Sequence, residues 1–350
     1  MLKPEYQYAN LEDLSIRDFA KTDPKGFLDH YKGGVIIDEI QYVPHLLSYL
    51  QVYTDSREQN GEYIITGSQN FLLNEQIGQS LAGRVAIFNL LPFSISELQS
   101  GNFSWGKWET LALSGFYPRK WMNDINPSVY YENYVRTYIE RDVRLIRNIS
   151  NLDLFHKFIQ LLAGRTGQLL NQSSLGNELG LDNKTIQSWI SLLEVSFVAF
   201  RLQPYFRNFS KRIVKTPKIY FYDTGLLAYL LGIRNLNDME LHYARGQIFE
   251  NLILTDLIKQ NWNQQLRQQC YFWRDSAGHE IDILIEHGTQ LKAVEIKSSK
   301  TFHMDFMDNL KGFKTLHADV MSYLVFGGNG FQSRGDISVL GLDSLNRIAL

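Results

Sequence analysis

Residues 33–39 read Gly-Gly-Val-Ile-Ile-Asp-Glu, an apolar triplet between a glycine pair and an acidic pair. A run this short cannot make a helix, and it lacks the polar alternation of a strand with one face in water. It predicts a strand buried on both faces. Residues 6–10, 63–65 and 85–90 are further runs of strand length, and the segments between them carry helical spacing, as at Leu46, Leu47 and Leu50. Strands alternating with helices predict an α/β layer on a parallel sheet. At 350 residues the chain exceeds what one hydrophobic core usually serves, so this layer is only part of it.

After residue 100 the period changes. Over 129–146, Tyr131, Tyr134, Val135, Tyr138, Ile139 and Val143 recur at helical intervals. Between Leu169 and Tyr205 two short helices meet at Gly180, with Ser173 and Asp182 placed as N-caps, and a strand-like run at 197–202 follows. That is the pattern of a helix-turn-helix with a wing. From Gly246 one amphipathic helix precedes strand patterns at 270–274, 280–286 and 291–296, which predicts a second α/β core. The expected organisation is an α/β domain over 1–100, a helical connector over 101–165, a winged-helix domain over 166–238 and a second α/β domain over 239–350.

Composition excludes several classes. With 35 Lys and Arg against 37 Asp and Glu the formal charge is -2, so any basic surface is local. The lone Cys270 rules out an internal disulfide framework and a multi-cysteine zinc site. The first residues lack the apolar core of a signal peptide, and no run reaches the roughly 18 apolar residues of a membrane helix. A soluble protein of a reducing cytoplasm, with no membrane partner, is expected.

The acidic pair closing the 35–37 strand has the Walker B arrangement, in which Asp38 holds Mg²⁺ through water and Glu39 polarises the attacking water; a solvated strand end is the bland alternative. Thr66-Gly67-Ser68 ends another strand, where a water-sensing side chain belongs. Arg84 offers a cation for a γ-phosphate or a surface salt bridge. The runs 38–42, 66–68, 80–84 and Leu91-Pro92-Phe93-Ser94 resemble prokaryotic AAA-type P-loop ATPases fused to a C-terminal domain of unknown function of the 4143 type. Residues 134–143 and 220–227 resemble that second domain. The resemblance implies ATP and Mg²⁺, with Asp38, Thr66, Ser68 and Arg84 at the nucleotide and Glu39 catalytic. One departure stands out: no G-x-x-x-x-G-K-S/T occurs in the 350 residues. The nearest approach, Gly101-Asn102-Phe103-Ser104-Trp105-Gly106-Lys107-Trp108, has Trp where the Mg²⁺-binding hydroxyl belongs and follows the Walker B strand. The chain is therefore expected to start inside its ATPase domain, to be inactive as an ATPase, and to leave the strands ending near Ile65 and Leu90 unpaired, inviting homo-oligomer contacts.

Two further constellations bear on nucleic acid. In 182–194 an inward stripe of Ile186, Ile190 and Leu193 leaves Lys184, Gln187, Ser188 and Ser191 outward. Arg201, Arg207, Lys211, Arg212, Lys215 and Lys218 then accumulate without an intervening Asp or Glu. This is a DNA-binding pattern, or a winged helix used for protein packing. The ordered set Glu250, Asp282, Glu295-Ile296-Lys297 resembles the PD-(D/E)XK nuclease core, which implies Mg²⁺ or Mn²⁺ on Glu250, Asp282 and Glu295 with Lys297 activating water. Arg136, Glu140, Arg141, Asp142 and Arg144 read as a charged helix face, and His279 and His303 as surface residues. The leading expectation is an ATPase-family protein with a DNA-binding, nuclease-like C-terminal region. Its rivals are a non-hydrolysing DNA- or protein-interaction protein and a metal-dependent nuclease acting without ATP.

Overall fold

In a computed structural model of the chain, the described residues are 6–31, 33–56, 60–67, 81–139, 151–206, 214–266 and 268–349. They form two compact units, 1–89 and 90–350.

The first unit is a three-stranded parallel sheet of β1 (Gln7–Asn10), β2 (Val35–Asp38) and β3 (Tyr63–Ile65), in that order. Helices α1 (Leu14–Thr22) and α2 (Pro24–His30) connect β1 to β2, and α3 (Leu46–Ser56) connects β2 to β3. Local chemistry starts the helices: Asp13 caps α1 by accepting from the Ser15 and Ile16 amides, and Asp23 caps α2 ahead of Pro24. Val35 and Ile37 are buried with Phe27, Leu28, Leu46, Leu47 and Leu50, and each such side chain contributes roughly 1.5–3 kcal/mol by leaving water. The Gly33-Gly34 pair that opens β2 takes φ of 101° and 117°, and the Tyr6 ring lies where a Gly34 side chain would start.

The strand expected at 85–90 is not part of this sheet. The segment is irregular and has no ladder partner among the described residues; Ile87 and Phe88 are exposed. Its apolar side chains predict a strand, but strand propensity alone does not form one without a ladder partner, and the described sheet ends at β1 and β3.

The second unit opens with short helices α4 (Ile95–Ser100), α5 (Trp108–Ser114), α6 (Pro118–Met122) and α7 (Pro127–Tyr134), the last continuing as a π-helical turn, Val135–Ile139. Helices α8 (Leu152–Ala163), α9 (Gln172–Leu179) and α10 (Asn183–Val195) lead into strands β4 (Ala199–Pro204) and β5 (Lys218–Phe221). Asn171, not Ser173, caps α9, whereas Asp182 caps α10 as expected. Helices α11 (Thr224–Leu230), α12 (Leu236–Leu241) and the 19-residue α13 (Arg245–Asn263) follow. Then come β6 (Gln269–Arg274), β7 (Glu280–His287), β8 (Gln290–Lys297), α14 (Asp308–Leu316), β9 (Met321–Phe326), β10 (Phe331–Arg334), β11 (Ile337–Leu340) and α15 (Asn346–Ala349).

These strands make one mixed eight-stranded sheet, β10-β11-β9-β8-β7-β6-β4-β5. Helix α13 packs on one face with Ile283, Ile285, Val294 and Ile296, and α14 lies over the other with Leu284, Ala293 and Leu324. The boundaries anticipated near 165 and 238 therefore lie inside a single unit. Strand β4 pairs with β5 and also, through Gln203 and Pro204, with β6, so one sheet runs across the boundary near 238. Gly101 ends α4 and Lys107 precedes α5, so the Gly101–Trp108 stretch joins two helices and not a strand to a helix.

Candidate functional site

At the end of β2 the Asp38 carboxylate accepts hydrogen bonds from the Tyr8 hydroxyl at 2.5 Å, the Glu39 amide at 3.2 Å and the Thr66 hydroxyl. Burial alone would raise its pKa, but the bonds from Thr66, Tyr8 and Glu39 outweigh it and hold the group below the usual carboxylate range. Glu39 sits in the left-handed region at φ 57° and accepts from the Gln41 amide. The parallel register Ile37↔Ile65 brings Thr66 beside Asp38, and Tyr8 reaches it from β1, a contact the sequence gave no sign of. An ionised carboxylate held by neutral donors fits a water-bridged Mg²⁺, which would be held by Asp38 and would screen phosphate charge. Arg84 is placed elsewhere, in a bidentate pair with Asp55 of α3 at 2.5 and 3.0 Å. Ser68 lies outside the described residues.

In the second unit Glu250, Asp282, Glu295 and Lys297 come together. Register Ile283↔Val294 sets Asp282 beside Glu295 across β7 and β8. Trp273 pairs with Ile281 and Tyr271 with Leu284, so β7 carries one residue more than β6 here, and Asp282 lies in that bulge. The Asp282 carboxylate accepts from the Ile296 amide at 2.8 Å. Lys297 Nζ lies 2.7 Å from Glu295 Oε1, which also accepts from Asn309 of α14 at 3.0 Å, while Glu295 Oε2 is buried with no hydrogen-bond partner. Burial pushes the Asp282 carboxyl well up, the Glu295 and Glu250 charges add to the rise, and Lys218 and Lys297 only partly offset it. Burial likewise raises Glu295, against Lys297 and Asn309.

A residue assigned by sequence to a basic phosphate-binding segment proves to be the centre of this cluster. Lys218, 2% exposed, pairs with Glu250 at 3.3 Å and with Glu280, and Tyr220, two residues on in β5, donates to Glu250. Arg274 reaches Glu280 at 3.2 Å. Arg201 leaves the basic segment too, gripped bidentately by Glu194 at 2.6 and 2.8 Å. In both cases a nearby carboxylate captures the cation before solvent or phosphate can. Of the rest, Lys215 is exposed, and Arg207, Lys211 and Arg212 lie outside the described residues. The signal for Lys218 and Tyr220 was their two-residue spacing within an apolar strand, which places both on one face. Mg²⁺ or Mn²⁺ does not fit this donor set: among the described residues no three His, Cys, Asp or Glu side chains are arranged to hold a metal, and an ammonium sits among the carboxylates.

Helices α9 and α10 meet at Gly180, in the left-handed region at φ 67°. Ile186, Trp189, Ile190 and Leu193 of α10 are buried, and Lys184 and Gln187 are exposed.

Residues 1–99 match the family model of an AAA domain, 106–237 that of a domain of unknown function, DUF8612, and 245–345 that of another, DUF4143. The chain joins an AAA-type domain to DUF4143. Of the runs likened to the second domain, 134–143 and 220–227 fall in the DUF8612 match, so the AAA and DUF4143 parts are separated by a third family segment. An uncharacterized protein of Mycobacterium tuberculosis is 28% identical over 282 residues, 80% of this AAA–DUF4143 chain and 62% of its own length. Uncharacterized proteins of Haemophilus influenzae and Methanocaldococcus jannaschii are each 22% identical, over 82% and 81% of the chain and 71% and 66% of their own lengths. The chain thus spans less than two thirds of the mycobacterial relative. No helix among the described residues is long and apolar enough to cross a membrane.

Proposed function

We propose that this AAA-family protein docks on duplex DNA through α10, presented in a winged-helix arrangement by α9 and the β4–β5 hairpin. The observation that carries the reading is the division of α10. Its apolar stripe is fully used in the core, while Lys184 and Gln187, able to bond phosphates and base edges, remain exposed on the opposite side. The ordered set Glu250, Asp282 and Glu295-x-Lys297 on a helix and two adjacent strands supports a nuclease-like ancestry for the sheet, but metal-dependent cleavage is not part of the proposal. The AAA part contributes the acidic strand end of a nucleotide site. Asp38, oriented by Tyr8 and Thr66, is the residue to hold Mg²⁺, and Glu39 is the residue to orient water. Arg84 pairs with Asp55, the surface salt bridge that its sequence context also allows.

Anisotropy of a labelled duplex, titrated over a range of salt, tests the docking. Lys184→Ala together with Gln187→Ala should weaken binding about tenfold or more, since each good base-edge contact is worth about 1–3 kcal/mol. Lys215→Ala should lower the salt slope by about one. Duplex affinity unchanged in the α10 double variant refutes the proposal.

A further inference from the structure

Lys218 belongs to β5, Glu250 to α13, and Glu280 and Asp282 to β7, so three elements converge on one ammonium. A lysine normally keeps its charge in water while its stem lies along apolar surface. The Lys218 side chain is instead 3% exposed, and such burial is tolerated only with close, hydrogen-bonded counter-charges. Those are present. The Glu250 and Glu280 carboxylates hold the ammonium directly, and Asp282 lies close enough to act on it electrostatically.

We propose that Lys218 is the resident cation of this carboxylate cluster, occupying the place of a divalent metal ion and thereby keeping Mg²⁺ and Mn²⁺ out. Most of the carboxylate charge is already countered without metal. Lys218, Arg274 and Lys297 stand against the carboxyls of Glu250, Glu280, Asp282 and Glu295. A metal ion entering such a site would have to displace the Lys218 ammonium from both Glu250 and Glu280. Tyr220 reinforces the arrangement, because its hydroxyl donates to the same Glu250 from the same strand face.

The test is an electron paramagnetic resonance titration of the full chain with Mn²⁺, without DNA, so that its outcome is independent of the docking proposal. The wild type should show no bound Mn²⁺ that Asp282→Asn removes. Lys218→Met should tighten Mn²⁺ binding at least about tenfold, because a unit charge about 4 Å away at an effective dielectric near 20 opposes a divalent ion by more than that. Adding Asp282→Asn to Lys218→Met should abolish the new site. Mn²⁺ bound by the wild type and lost in Asp282→Asn overturns the proposal, as does a folded Lys218→Met variant that binds no more Mn²⁺ than the wild type. Should Lys218→Met fail to fold, the wild-type and Asp282→Asn titrations decide it, with Lys218→Arg, which keeps the charge, expected to match the wild type.

Discussion

Asp223, in the run Tyr222-Asp223-Thr224-Gly225-Leu226, is a structural clamp, and removing it should destabilise the second unit by a few kcal/mol. The side chain is 1% exposed. One carboxylate oxygen accepts from the Leu226 amide at 2.8 Å, capping α11, and the other accepts from the Phe116 amide at 2.7 Å, 107 residues away in sequence. Asp223→Ala leaves two buried amides unsatisfied at about 1–3 kcal/mol each, for a total of about 2–6 kcal/mol. Asp223→Asn keeps one acceptor oxygen and should cost about half as much. Gly225 completes the device: an added Cβ there would lie 2.4 Å from the Tyr131 hydroxyl, so Gly225→Ala should cost about 1–3 kcal/mol by overpacking. Urea unfolding followed by tryptophan fluorescence is the assay. All six tryptophans (105, 108, 121, 189, 262 and 273) lie in the second unit, so the signal is blind to the first. A loss below about 1 kcal/mol in Asp223→Ala would mean that these amides find other partners, and would refute the argument.

Two further outcomes are expected. Phosphate release from ATP by this chain should be negligible and unaffected by Glu39→Gln, because the 350 residues hold no G-x-x-x-x-G-K-S/T loop to cradle the phosphates; turnover abolished by that substitution would contradict it. Lys259, fully buried with its amine 3.0 Å from the Phe93 carbonyl and over the Phe116 ring, has its pKa lowered by burial to about 8, Asp223, Asp256 and Glu97 only partly compensating. The unfolded chain then binds more protons between about 8 and the ordinary lysine value of about 10.4, so the second unit should gain stability as pH rises through that window. Lys259→Met should flatten the gain, and a wild-type profile that falls there instead would overturn the assignment.

Several features of the fold were legible because they are local. The β2 triplet, the strands at 270–274, 280–286 and 291–296, the cap at Asp182 and the turn at Gly180 all follow from periodicity and backbone chemistry within a few residues. So did the one-face placement of Glu295 and Lys297, since a strand alternates every residue. That Asp38 and Thr66 each close a strand was legible, but the hydrogen bond between them depends on the parallel register of β2 and β3.

What the tertiary structure decided are the partners of charged and apolar groups, which depend on chain closure over long separations. Lys218 reads in sequence as one more cation in a basic run. Its destination is set by Glu250, 32 residues on, and Glu280, 62 residues on, which meet it only once β5, α13 and β7 are assembled. The bulge that places Asp282 arises from pairing with β6, and no single-strand pattern encodes it. Residues 85–90 carry the side chains of a strand but pair with none of the described strands. One sheet spans the boundary expected near 238 because β4 ladders with both β5 and β6. Side-chain alternation and caps are properties of neighbouring residues, whereas ion pairing, register and edge occupancy are properties of the assembled sheet.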